Sequence, residues 1–545
     1  MIEVRRRAAG DHRSVRGGRR RPRAAVDLAL HGTPRGRGSA IFAAVVGGLS
    51  GGGLAARLFT GGAIGVSDQG DGTRLLCSLG LREGNRYNTS TTDYLYLTWY
   101  HHQWYGETCG ATGSGEPYNS SQLWFLHIAK WLTPILGLPG ALDLRALGAV
   151  FCVLVAVITA VAALLLPGTG LARFLGAGAL WLVIADGAFA GYFVSAYSEP
   201  AALIGILALL LSVLVYWRTR TVRWWAVLLV CAGAALTITA KTQSASLLAT
   251  VIPLLLARPT FGESIQAHLD KGGLYARVTA RRRVEAFLVT RWPALIAGAV
   301  LVIITQQYLA HQPKRFEVQN RYAAVFIEML PHSSNPAADL RALGLPASMV
   351  SSSGVSINAP GSAASTPQFV GFVDKTSPLR TSEVYLRDPA RLVGMAGRGL
   401  KGMAVLRADY VYSYPQSAQR PPNTEECRVC VLQTVWKAVF GAAPDLIVLV
   451  GLMCFGVCLY LAATRREREI AAVGVVGMFL GLSAIAQFWV VMLTEGASDL
   501  IKHMVLANYL LALMFVITGY AGYLIRRSNS SRRDPPAPAE SSPGR

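Results

Sequence analysis

Charged residues are scarce in this sequence. Asp, Glu, Lys and Arg make up 15% of its 545 residues, where soluble domains carry roughly 25%. Long apolar runs take their place, and hydrophobic residues reach 52%. The runs do not alternate in polarity, which argues against a transmembrane β-barrel. Acidic residues are the scarcer sign, with 31 Asp and Glu against 52 Lys and Arg, for a net charge of +21. The basic excess is not gathered on one domain face. It sits in tails and in short loops between apolar runs, as the positive-inside rule requires of a membrane protein, so nucleic acid is not an expected partner. Also missing are a second C-x-x-C beside Cys427–Cys430 and any nearby histidine, which removes the support for zinc. No internal repeat of the kind found in inverted-repeat transporters is visible.

A bilayer core about 30 Å thick needs about 20 apolar residues per helix. Ten spans are read, near 40–58, 145–167, 174–191, 199–216, 223–240, 243–257, 292–310, 443–463, 469–492 and 501–525. The fold class is therefore an all-α polytopic transmembrane helix bundle. The first span is diluted by Gly47, Gly48, Gly51, Gly52 and Gly53, and the sixth is short and interrupted by Pro253. Residues 1–39 read as a disordered basic cytoplasmic tail, and no clean signal-peptide cleavage site follows the first apolar stretch. Ten spans bring Arg218, Arg220 and Arg223, the basic 258–291 loop, Arg465, Arg466 and Arg468, and the 526–545 tail to the side of the N-terminus. Both termini are then cytoplasmic in a cell membrane.

Two large segments fall outside. One is 59–144, joined to the N-terminal bundle of 40–310. The other is 311–442, a small domain or lid that precedes the C-terminal spans of 443–525. Its Ser-, Pro- and Gly-rich stretch Ser351–Pro367 reads as a flexible loop. Residues 122–137 are amphipathic and aromatic, which predicts a helix lying on the outer membrane surface. Outside a cell disulfides persist, and pairing of Cys77 with Cys109 and of Cys427 with Cys430 is the simplest arrangement. Cys152, Cys231, Cys454 and Cys458 lie in spans as small core residues.

Four polar clusters fall at the outer ends of spans, where charge is costly and tends to mark function. Asp68 and Asp71 flank Gly70 just past span one, as general-base or metal-ligand candidates or as an ordinary solvated turn. Glu199 opens span four before Pro200, a position that a helix dipole alone would explain. Lys241 and Gln243 lie between spans five and six, where the lysine either snorkels to headgroups or grips a lipid phosphate. Glu495, Asp499, Lys502 and His503 enter span ten, and the four-residue spacing of Asp499 and His503 predicts one shared helix face. Convergence of these clusters on one membrane face describes a site for a substrate held by a lipid tail. The chemistry such a site suggests is attack by an acceptor hydroxyl on a sugar anomeric carbon, with a polyprenyl phosphate leaving.

The stretches SDQGDG at 67–72, YSEPAALI at 197–204, TAKTQSA at 239–245, Asn320 to Pro346, and GASDLIKHMVLANYLL at 496–511 carry a family likeness. In these patches the chain resembles the multispan glycosyltransferases of the GT-C type. It is more closely similar to bacterial glycan-biosynthesis hexose transferases associated with surface-layer glycan clusters. The resemblance implies a GT-C-like bundle, a polyprenyl-phosphate sugar donor, a glycan or glycolipid acceptor, inversion at the anomeric carbon, and Asp71 or Asp68 as the essential outer acid. It departs at the last motif, where Lys502-His503 stands for an expected Arg-His and keeps the charge without the planar fork. No cofactor is firmly implied, and a divalent metal on the paired acids is compatible but not required. The rival readings are a lipid-linked glycan transporter, for which Asp186 inside span three is the only obvious buried acid, and a non-catalytic envelope-assembly scaffold.

Overall fold

Helical runs of 15 to 31 residues dominate the chain, because in lipid backbone N–H and C=O groups must be satisfied within their own segment. The computed structural model describes residues 37–66, 71–82, 102–104, 118–136, 141–219, 224–258, 280–377, 380–409, 411, 413, 414, 420, 421 and 424–533 apart from Arg466. Residues 1–36 and 534–545 of the two predicted terminal tails, residues 67–70 with Asp68, and Cys109 lie outside them, whereas 37–39 and 526–533, expected to be disordered tail, are helical and extend the first and last spans.

The first part contains α1 (Arg37–Phe59), α2 (Asp71–Ser78), α3 (Gln122–Leu132), α4 (Leu144–Leu165), α5 (Gly170–Ala185), α6 (Glu199–Arg218), α7 (Trp224–Ile238), α8 (Leu248–Leu256) and α9 (Ala280–Ala310). The 311–442 segment supplies α10 (Lys314–Tyr322), α11 (Pro336–Leu343), α12 (Pro367–Lys375), α13 (Arg380–Arg387), α14 (Pro389–Met403) and α15 (Val431–Phe440). The chain then completes α16 (Leu446–Thr464), α17 (Arg468–Thr494), the single turn α18 (Leu500–His503) and α19 (Val505–Arg533). The strands are β1 (Leu81–Arg82), β2 (His102–Trp104) and β3 (Ala141–Leu142), an antiparallel set in that order, with Leu81 opposite Trp104 and His102 opposite Leu142. This small sheet ties the first connecting segment to the start of α4, and the fold is otherwise all-α and polytopic.

Among the described residues, 7 helices are long and apolar enough to cross a membrane: α1, α4, α6, α9, α16, α17 and α19. Three of the ten spans read from sequence are shorter apolar helices, at Gly170–Ala185, Trp224–Ile238 and Thr242–Leu256. The third of these begins as a 3-10 turn over Thr242–Leu247. The tenth is also interrupted, because the backbone turns at Met504 between α18 and α19. The apolar character of α6 extends all round because 78% of its apolar window is buried within the protein, against 17% for α16.

The glycines that dilute α1 are its packing face. A β-carbon on Gly47 would stand 2.6 Å from the Ala156 carbonyl oxygen, and one on Gly51 would stand 2.7 Å from the Ala156 β-carbon, so α1 and α4 meet almost backbone to backbone. Small residues four apart allow this approach, which compensates for the weak hydrophobic drive between helices in lipid. Gly48 and Gly52, on the other side, meet nothing within 4 Å.

The connections separate to the two ends of the bundle. At one end Arg218 pairs with Glu469 at 2.7 Å, Arg258 donates to the Tyr216 carbonyl at 2.8 Å, and Arg468 reaches the Thr219 carbonyl at 3.4 Å, so these three arginines share that end. At the other, Asn119 binds the His311 carbonyl at 2.9 Å, Gly187 N binds the Val429 carbonyl at 2.7 Å, and Arg428 binds the Arg57 carbonyl at 2.6 Å. Cys427 and Cys430 are disulfide-bonded to each other, and Cys77 is also in a disulfide. Cys152 and Cys458 are free and buried, as expected of core residues, and Cys231 and Cys454 are free but only partly buried.

The stretch expected to be a flexible loop is packed. Met349, Ser352 and Ala363 are buried, Gly354 N binds the Phe326 carbonyl at 2.7 Å, and Ser352 accepts from Ala363 N at 3.1 Å. Its small residues let the chain wrap an aromatic cluster of Tyr322, Phe326, Phe369 and Phe372.

Trp124, Ile128 and Trp131 on α3, and Ile135 in the 3-10 turn Thr133–Leu136 that continues it, stay exposed, with Trp124 at 75% and Trp131 at 74%. That surface suits the bilayer interface. Brominated lipids should quench a tryptophan signal that is lost in the Trp124→Phe/Trp131→Phe variant; equal quenching in both proteins would remove α3 from the interface. Gly51→Leu should lower the stability of the purified protein by about 1–3 kcal/mol through overpacking, with Gly48→Leu close to the parent in thermal unfolding. Equal melting of the two variants would contradict the α1–α4 packing.

Candidate functional site

Lys241 owes its position to a polar run that precedes α3. Ser121 N donates to the Thr239 carbonyl at 2.9 Å, and the Ala240 carbonyl accepts from Ser120 Oγ at 2.6 Å and from the Tyr118 hydroxyl at 3.4 Å. Burial pushes the Tyr118 phenol up to about 12, so it stays a donor. These bonds take up carbonyls that α7 leaves open as it ends at Ile238, and Lys241 follows in extended conformation. Its Nζ donates to Glu199 Oε1 at 2.8 Å. Glu199 is 1% exposed and opens α6 ahead of Pro200, where the helix dipole favours its charge.

The second wing comes from the turn between α17 and α19. Gly496 has φ of 59°, and a β-carbon there would overlap Glu328 of the 311–442 segment, so only glycine fits. The turn pairs Glu495 with His503 and leaves Lys502 buried at 3% exposure, its Nζ 4.6 Å from the centre of the Tyr197 ring. Burial opposes the charge on Lys241, but Glu199 and Glu495 together hold its pKa above the ordinary value. Burial likewise opposes charge on Glu495, and His503, Lys241 and the Gln243 amide outweigh it and hold the carboxyl below the usual range.

Glu199, Lys241, Gln243, Glu495, Lys502 and His503, dispersed over three hundred residues of sequence, thus form one buried cluster. Asp499 does not join it. It precedes α18 in left-handed conformation with φ of 45° and is exposed, so it shares no helix face with His503, which turns to Glu495 instead. Asp71 opens α2, whose Ser78 Oγ donates to the Tyr118 carbonyl at 3.2 Å. The backbone therefore carries α2 to the same polar run that seats Lys241. The Asp71 side chain and all of Asp68 lie outside the described residues.

Sequence reading passed over Tyr118–Ser121 and Gln487, and it grouped Tyr197 with Glu199 without giving the ring a role. Gln487 supports the cluster from α17, with Nε2 donating to the Gln243 carbonyl at 3.1 Å and to Ser246 Oγ at 3.0 Å. The run of hydroxyl and amide side chains before an amphipathic helix was the available signal. Asp186, expected inside a span, instead ends α5 and accepts from Ala188 N at 3.1 Å and Leu432 N at 2.8 Å. It caps α15, next to the buried ion pair of Arg57 with Glu426. Among the described residues no group of three or more His, Cys, Asp and Glu is placed to hold a metal ion.

A model of the family described as the YfdI N-terminal transmembrane domain matches residues 52–537. The chain belongs to this family. The YfdI-type domain accordingly takes in both wings of the cluster and the segment between them, as one multispan membrane unit. No curated protein and no solved structure matches the chain.

Two ammonium groups, an imidazole and an amide, balanced by two carboxylates in a nearly dry setting, suit an anionic group such as a phosphate at the end of the bundle. Because the folded pKa of Glu495 lies below its ordinary 4.5, its stabilisation is present above that value and is lost as pH falls through the folded pKa. The raised Lys241 value places its loss at the alkaline end, above 10.5. Glu495→Gln should cost about 3 kcal/mol or more at neutral pH, and the gap in melting temperature from the parent should narrow on acidification to pH ~4. A gap that stays constant with pH would show that the charge of Glu495 is not what matters.

Proposed function

We propose that this protein is a GT-C-type hexosyltransferase of the cell membrane. It transfers a hexose from a polyprenyl-phosphate donor to an envelope glycan or glycolipid acceptor. The observation that supports the reading is the joining of Lys241, Lys502, His503 and Gln243 at the membrane boundary, beneath an amphipathic helix. A lipid-linked phosphate would rest at that depth, and cations there would stabilise the charge that develops on it as it leaves. Under the positive-inside rule, the arginines at the opposite end support an outer-face cluster with both termini in the cytoplasm.

In this mechanism Asp71 or Asp68 takes the proton of the acceptor hydroxyl as it attacks the anomeric carbon. Such a base contributes roughly 10²–10⁴-fold, and the remaining acceleration falls to electrostatics at the phosphate. The transporter reading loses its main residue, since Asp186 is accounted for as a helix cap.

The test is transfer of radiolabelled hexose from polyprenyl-phosphate donors by the purified protein in proteoliposomes. Asp71→Asn should abolish transfer with folding intact, and Lys502→Ala should raise KM for the donor more than for the acceptor. Full activity in both Asp71→Asn and Asp68→Asn would dismiss the base, and an equal effect of Lys502→Ala on both substrates would dismiss its phosphate role. Activity that survives a chelator would exclude a required divalent metal.

A further inference from the structure

A second polar cluster lies in the 311–442 segment, beside the first but separate from it. Glu328 belongs to a π-helical stretch, Ala323–Met329, between α10 and α11. Such stretches are rare and collect at functional sites. The Glu328 side chain is fully buried. Its Oε1 accepts from Arg398 Nε of α14 at 3.0 Å, while Oε2 has no hydrogen-bond partner in the protein. Two hydroxyls on α13 share that condition. Tyr385 OH and Thr381 Oγ1 are buried, at 3% and 1% residue exposure, and neither bonds a protein group. They stand four residues apart, on one helix face. Arg391 brings α13 to the π-helical stretch, with its guanidinium 5.5 Å from the centre of the Tyr385 ring and donating to the Met329 carbonyl at 3.4 Å, and burial raises the Tyr385 phenol pKa, with the Glu328 charge as the next cause, so the phenol stays protonated.

Buried polar atoms without partners are costly, and three together in one small segment require an explanation. Packing does not supply one, because a leucine or phenylalanine would fill the same space without the penalty. The chemistry of the set is selective. An anion would meet the Glu328 carboxylate, and a cation would meet Arg398 and Arg391, which lies over the Tyr385 ring at 5.5 Å. Neutral hydroxyl groups, each both donor and acceptor, satisfy a free carboxylate oxygen, a phenol, a threonine hydroxyl and a guanidinium together. The Arg398 side chain, which binds Glu328, is itself 26% exposed. Glu328 also packs against Gly496, next to Glu495 of the cationic cluster, so the two sites adjoin.

We infer that Glu328, Tyr385 and Thr381, with Arg398, form a subsite for the hydroxyl groups of a hexose. The inference rests on the glycosyltransferase reading for the identity of the sugar, which either the donor or the acceptor carries. Tyr385 and Thr381 are binding residues in this scheme, and no bond is made or broken at them.

Two measurements separate this inference from the reading it rests on. Saturation-transfer NMR of the full-length protein with methyl glucoside, galactoside and mannoside should show binding of at least one. Tyr385→Phe and Thr381→Val, which keep shape and remove only a hydroxyl, should weaken that binding about tenfold with unchanged melting temperature. In the transfer assay, Tyr385→Phe should raise KM by a similar factor for whichever substrate presents its sugar here, with a smaller change in kcat. A deoxy sugar that lacks the contacted hydroxyl should lose affinity for the parent but not for Tyr385→Phe. Hexoside binding that depends on Tyr385 in a protein without transfer activity would uphold the subsite and overturn the transferase. Transfer activity with hexoside binding and KM values untouched by Tyr385→Phe, Thr381→Val and Glu328→Gln would overturn the subsite alone.

Discussion

A lysine ammonium buried at the end of a membrane bundle must be matched by a carboxylate, and Lys241 is matched by two. Its contact with Glu199 joins the end of α7 to the start of α6, and its interaction with Glu495 adds the turn that follows α17. Neither carboxylate comes from the neighbouring sequence. Three helix ends must therefore be brought to within a few ångströms before any of these charges is tolerable, because one buried charge without its partner costs several kcal/mol. The surrounding bonds serve that end. The Tyr118–Ser121 run takes up the last carbonyls of α7, and Pro200 and the helix dipole seat Glu199.

The same constraint fixes the 311–442 segment on the bundle. The 495–503 turn has to come close enough to present His503 and Lys502, and it does so through residues with positive φ at Gly496 and Asp499. Gly496 then admits Glu328 to near contact. On α14, Gly399 and Gly402 leave space for Phe488 and Leu500, with 2.5 Å and 2.6 Å to the nearest atoms of a hypothetical β-carbon. A segment that would be a loose lid by composition is thus held to α17 and α18 by shape. Its own polar cluster adjoins the cationic one as a result, and this adjacency gives the chemistry of each cluster meaning for the other.

Most of the helical architecture was legible in the chain. Seven of the ten expected spans recur as helices of membrane length, since twenty apolar residues have few other stable forms in lipid. The rest was harder for physical reasons. Gly47 and Gly51 look like weakness in a hydropathy count but are the surface on which α1 meets α4. Asp186 looked like a buried acid in mid-span because its partners, the N–H groups that open α15, lie about 250 residues away in sequence. The four-residue rule for Asp499 and His503 failed because it assumes a helix, and the backbone has left the helix at Asp499. Within the site, Glu199, Lys241, Gln243, Glu495, Lys502 and His503 were identifiable as costly charges and amides near span ends. Tyr118 and Gln487 were not, and Tyr197 was noted only as a neighbour of Glu199, since an aromatic ring or an amide near a span is unremarkable until its partner is known.

The sequence by itself determined that this is a polytopic helical membrane protein with its basic loops at one end. Hydrophobic run length and charge placement are local quantities, and the bilayer reads them directly. Only the tertiary structure decided which polar residues share a site, which are caps, and that Glu328, Tyr385 and Arg398 stand beside the lysine cluster. Those relations depend on where helix ends meet in space, and that is set by close packing between segments far apart in the chain.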